Sequence, residues 1–172
     1  MHESLEKNGY SDVVIHNIAL GVQKEVKDLF IPLGHAGAAS LKREYPRSKN
    51  LSKISVVVEN ATTYLTNLNL PPIRLVKIDV EGYEAEIIEG ASTFFKTNRP
   101  DAILFEIGRN HNLPFFQHSV VKKLSELNYQ FFCIPKSKFR MRLYPLESNT
   151  SKWYGNDILG IQKGDIYDNF VK

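Results

Sequence analysis

At 172 residues, 42% hydrophobic and 24% charged, the chain has the composition of one globular domain long enough to bury a core. A net charge of +3, with no basic cluster interleaved with aromatic residues, argues against a nucleic-acid partner. One cysteine, Cys133, excludes an internal disulfide and gives no paired spacing for zinc; its apolar setting makes it a small buried hydrophobe.

In chain order, residues 1–9 read as the tail of a helix stopped by Asn8-Gly9. Residues 13–20, rich in Val and Ile, predict a strand, residues 26–32 a second extended stretch, and residues 34–40 a glycine-alanine loop. Residues 54–58 predict another strand. Thr62 or Thr63 is placed to cap a short helix reaching Leu68, which Pro71-Pro72 ends. The apolar run at residues 73–80 predicts a buried parallel strand. After it, Ile87, Ile88, Ala91, Phe94 and Phe95 form one stripe at helical period, with Glu84, Glu86 and Glu89 largely off it. Pro100 separates that helix from a strand at 102–107. Val120, Val121, Leu124 and Leu127 predict another helix, and strands at 129–134 and 157–161 close the chain around a loop containing Trp153 and Tyr154. The basic stretch 136–142 reads as a solvated or substrate-facing loop. No apolar run approaches the ~18 residues of a membrane helix, and Met1 opens no signal-peptide pattern. A cytoplasmic protein without a transmembrane segment is expected, with a segment ahead of Met1 left open.

The densest chemistry lies in Lys77-Ile78-Asp79-Val80-Glu81-Gly82-Tyr83-Glu84. Ligand sites of open α/β sheets form beyond the carboxyl ends of the strands, and two carboxylates sit at such an end here. Alternation sends Lys77, Asp79 and Glu81 to one side, and Gly82 permits an unusual turn. Glu106 ends the neighbouring strand, so two strands bring acids to one rim. His111 follows in the next loop, where it could act as a base or bind substrate. Structural roles stay open: Asp79 as a helix cap, Glu81 on the helix dipole, and Glu106 paired with Arg109 or Arg99.

That octapeptide, followed by Ile87-Ile88-Glu89-Gly90-Ala91, Arg99-Pro100 and the Glu106 strand, resembles the signature of the FkbM family of S-adenosylmethionine-dependent methyltransferases. Asn17-Ile18-Ala19-Leu20-Gly21, Ala39-Ser40-Leu41 and Asn156-Asp157-Ile158-Leu159-Gly160 resemble further family segments in the right order. The resemblance implies O-methyl transfer to a hydroxyl, often of a sugar, so a small-molecule or glycan acceptor is expected. It implies Asp79, Glu106 and His111 as catalytic candidates, Asn17, Ala19 and Asp79 beside the cofactor, and Glu81 and Tyr83 beside the substrate. A divalent metal at Asp79, Glu81 or Glu106 could instead lower the pKa of the acceptor hydroxyl, but the spacing establishes none.

The implied fold is an α/β, incomplete class I methyltransferase (Rossmann-like) domain over residues 1–172, with parallel strands and a terminal antiparallel hairpin. Its first strands and glycine-rich cofactor loop are expected to be missing, with weak cofactor binding as a result. Strands 73–80 and 102–107 are expected as parallel neighbours. The closing hairpin should lie on the far side of 102–107, and the first strand should be displaced or paired in a nonstandard way. Ala61-Thr62-Thr63 departs from the acidic run usual in the family. Two other readings remain, a non-catalytic interaction module and a metal-dependent glycosyltransferase using Asp79-Val80-Glu81. The oligomeric state is not legible.

Overall fold

The computed structural model describes all residues except 1, 45, 47, 108–112, 136–142, 149, 151, 152, 154, 165, 166 and 169–172. It is a mixed α/β structure built on two sheets. In the smaller, β2 (Glu25–Pro32) runs antiparallel to β3 (Leu51–Asn60) through eight paired residues, from Glu25 with Val58 to Pro32 with Leu51. β1 (Ala19–Gly21) joins the other edge of β3 in parallel. The expected strand at 13–20 is therefore confined to its end. Val13 and Val14 are 49% and 75% exposed, and without a partner their β-branched side chains do not make a strand.

The larger sheet has the order β4-β5-β8-β6-β7. β4 (Leu75–Ile78) and β5 (Ala102–Glu106) are parallel neighbours, as expected. β8 (Asp157–Gln162) lies antiparallel to β5 on its other side, with β6 (Tyr129–Cys133) antiparallel beyond it, so the closing pair sits where the sequence predicts. β7 (Tyr144–Leu146), only three residues long and carrying Pro145, extends the sheet unforeseen. Alternation along β5 buries Ile103 and Phe105 and sends Leu104 and Glu106 to the other face.

The first helix, α1 (His2–Lys7), ends at Gly9, whose φ is +73°. α2 (Ala61–Asn67) is capped by Asn60, whose side chain accepts the Thr63 amide at 2.8 Å; neither threonine is the cap. The Thr62 hydroxyl instead donates to the Gly90 carbonyl at 2.6 Å and accepts the Phe94 amide at 3.4 Å. A side chain inserted at that point accounts for the division of the expected long helix into α3 (Glu84–Gly90) and α4 (Ser92–Thr97). α5 (Ser119–Glu126) packs beside α3. Ile88, Phe94, Phe95, Ile103, Phe105, Val121, Leu124 and Phe131 form one continuous core.

The smaller sheet meets the helices where α3 crosses β1. A Cβ placed on Gly90 would lie 2.0 Å from the Gly21 carbonyl oxygen, so glycine is required for backbone to touch backbone there.

Candidate functional site

The register of β4 on β5 pairs Ile78 with Phe105, so the next residues, Asp79 and Glu106, leave their strands side by side. Glu106 in turn faces Asp157 of β8. One carboxylate oxygen from each of Asp79, Glu81 and Glu106 lies within 4.8 Å of the others. Two oxygens across a calcium- or magnesium-sized ion are separated by up to about 4–5 Å, so the cluster has the donor type and span for a hard divalent cation. Lys77 answers part of this charge, with its ammonium 2.7 Å from Asp79. Its pKa is raised first by that hydrogen bond and charge, and further by Asp157 and Glu106. Asn156 donates its amide to Glu106 Oε1 at 3.0 Å.

Glu81 reaches the cluster from a turn that few side chains adopt. Its φ is +50° and that of Gly82 is +96°, two successive residues on the left-handed side. Desolvation pushes the Glu81 pKa up, and the charges of Glu106 and Asp79 push it further. Glu84, expected on the polar side of its helix, is instead 7% exposed. Burial raises its pKa against the lowering effect of nearby backbone amides, and its Oε1 accepts the Gly82 amide at 3.2 Å. The helix starts with this side chain folded back under the turn, which reverses the exposure suggested by the apolar stripe.

Two cavities meet at the carboxylates. A cleft of about 730 Å³, mixed in polarity but rich in charged side chains, is lined by Glu81, Glu84 and Glu106 together with Lys42, His118 and Asn156. A larger, mostly apolar groove of about 1180 Å³ runs between the two sheets, lined by residues 17–20, 54–57 and 75–80 among others. Asp79 belongs to the groove, Glu81 and Glu106 to the cleft. The acids thus stand at the junction of an apolar chamber and a charge-rich one.

The structure brings Asn17, Ala19 and Asp79 to the same groove. Tyr83 also lines the groove but is 6% exposed, with its ring under the ammonium of Lys42 at 5.9 Å. Lys42 is ion-paired with Glu86 at 2.7 Å. Trp153 packs edge-on against Phe115 and His118. His111, Arg109, Tyr154 and the basic stretch 136–142 lie outside the described residues. Sequence reasoning missed Glu84 and Asn156 as lining residues. It noted Ser40 only within a short resembling motif, with nothing to connect it to the strand end some forty residues later.

A family model described as the methyltransferase FkbM domain matches residues 6–131. No curated protein matches the chain. The crystal structure of methyltransferase FkbM from Methylobacillus flagellatus KT is similar at 11% identity and a TM-score of 0.43, over 92% of this chain and 31% of that one. The chain thus spans about a third of the length of that structure.

Proposed function

Because the chain belongs to the FkbM methyltransferase domain family, we propose that its residues form part of one class I domain that moves a methyl group from S-adenosylmethionine to a hydroxyl of a sugar or glycoconjugate. The observation that carries this reading is the convergence of Asp79, Glu81 and Glu106 between an apolar groove and a charge-rich cleft. The groove fits such a cofactor in part. Its walls at Ala19, Leu20 and Val76 suit a purine ring, and Asp79 offers a carboxylate to a cation.

S-adenosylmethionine, when bound, supplies a methyl group made electrophilic by its sulfonium. Asp79, tethered by Lys77, would offer its carboxylate to a cationic cofactor held in the groove. Glu81 takes the acceptor's hydroxyl proton from the cleft side; its raised pKa makes it a stronger base than an ordinary glutamate. A base so placed contributes roughly 10²–10⁴ in rate. Glu106, fixed by Asn156, raises the proton affinity of Glu81 and accepts a hydrogen bond from the acceptor. The apolar walls of the groove keep water from competing for the methyl group.

The test is transfer of a labelled methyl from S-adenosylmethionine to a panel of sugar hydroxyls by the protein as the cell makes it. Transfer that collapses in Glu81→Gln supports the reading. Wild-type transfer by a variant with Asp79, Glu81 and Glu106 all changed to amides overturns it.

A further inference from the structure

Ser40 reaches the backbone of Glu81 from the loop after β2, a part of the chain with no acidic residue in the cluster. Its backbone is fixed to β2 on both sides, Phe30 N–H donating to Ser40 O at 2.9 Å and Ser40 N–H to Phe30 O at 3.0 Å. The side chain is 1% exposed. Its hydroxyl donates to the Glu81 carbonyl at 2.7 Å and accepts the Lys42 amide at 3.1 Å. The other end of the same peptide unit is held as well, since Gly82 N–H donates to Glu84 Oε1 at 3.2 Å.

We propose that Ser40 and Glu84 are positioning residues that clamp the Glu81–Gly82 peptide from its two ends and so hold the Glu81 carboxylate against Asp79 and Glu106. The proposal rests on the reading of Glu81 as the base. Three acids within 4.8 Å repel one another, and Lys77 is bound to Asp79, not to Glu81. Left alone, the turn would relax out of its two successive left-handed conformations, and the Glu81 carboxylate would draw away from the acids that repel it. Any such rearrangement displaces the 81–82 peptide and breaks both bonds of the clamp. The barrier is built from a hydroxyl anchored to β2 and a carboxylate buried beneath the turn.

The experiment compares Ser40→Ala and Glu84→Ala, which each remove one end of the clamp, with Ser40→Thr and Glu84→Gln, which keep a donor and an acceptor there. Ser125→Ala, which removes a hydroxyl bonded only within α5, is the control. Three NMR readings report on the turn: hydrogen exchange at the Gly82 amide, the backbone coupling of Glu81, and the carboxyl-carbon signal of Glu81. Both alanine variants should exchange faster at Gly82 and shift the Glu81 signals, while the Thr and Gln variants and the control stay at wild-type values. Where methyl transfer is measurable, Ser40→Ala should lower kcat about tenfold or more with KM little changed, as expected for a displaced base. Should Ser40→Ala not fold, Ser40→Cys, similar in size with a weak donor, takes its place. Wild-type Glu81 signals in folded Ser40→Ala and Glu84→Ala overturn the clamp. The NMR readings need no turnover, so a protein that transfers no methyl sinks the proposed function while they still decide this one.

Discussion

Glu81 and Asp79 are two residues apart, yet the structure gives them different surroundings, and their variants should fail differently. Glu81→Gln keeps shape and removes basicity, so kcat should fall by roughly 10²–10⁴. Asp79→Asn removes a charge from the groove side, so its main effect should be weaker binding of S-adenosylmethionine. Steady-state kinetics on both variants separates the two. Equal losses of kcat with unchanged cofactor affinity would return the role of base to Asp79. Glu84 supplies a second prediction. Its folded pKa and that of Glu81 lie above the ordinary glutamate value, both pushed up first by burial. Between the unfolded and folded values the native state binds more protons than the unfolded one. Stability from these groups is thus fully present below the unfolded pKa and lost as pH rises through the folded one. Glu84→Gln keeps an acceptor for Gly82 and has no proton to lose. Its melting temperature should therefore fall less than the wild type's as pH is raised from acid to neutral. An unchanged slope would show that Glu84 does not titrate in this window.

Among the elements, the break between α3 and α4 has one identifiable cause, the Thr62 hydroxyl that joins Gly90 to Phe94. Thr62→Val, nearly the same size, leaves the Gly90 carbonyl without that donor and should cost about 1–3 kcal/mol, whereas Thr62→Ser should cost little. Urea denaturation of both measures it; equal midpoints would mean the break comes from Gly90 alone. The same element explains what the sequence could and could not disclose. The stripe Ile87, Ile88, Ala91, Phe94, Phe95 reads as one helix because its period runs unbroken, and the interrupting threonine belongs to another element. Strands β4 and β5 were legible as strands because apolar runs follow Pro71-Pro72 and Pro100, but the burial expected of the first is not met: β4 is an edge strand with Leu75 56% exposed and only Ile78 buried. The carboxylates at their ends followed from alternation alone. Residues 13–18 misled because Val and Ile favour strands only where a neighbour pairs with them. Ser40 and Glu84 stayed out of reach for a related reason. One depends on a contact between distant segments, and the other on a side chain that folds under a left-handed turn.

For the molecule as a whole, the groove between the sheets sets what the 172 residues can do with a cofactor. Among its described lining residues Asp79 is the one carboxylate, and no glycine brings backbone amides close to a ligand. Ribose hydroxyls and a phosphate-like or carboxylate group would therefore find few partners, each missing hydrogen bond costing about 1 kcal/mol. Calorimetric titration of this chain with S-adenosylmethionine and S-adenosylhomocysteine should accordingly give weak binding or none. Tight, saturable binding would show that the groove supplies contacts beyond those its lining suggests. The contact between Gly21 and Gly90 gives a further test. Gly90→Ala places a methyl group in the Gly21 carbonyl, so α3 and β1 must part, and a melting temperature lowered by several degrees should accompany increased binding of an apolar dye.

That glycine contact also governs how the groove can admit a guest. Where two main chains meet with no side chain between them, no rotamer can yield, so β1 and α3 cannot slide past one another at this point. The strand carrying Gly21 and the helix carrying Gly90 are therefore held as one body, and any widening of the groove has to come from elsewhere along its walls, such as Leu70, Pro71 and Pro72, which line it and take no part in that contact.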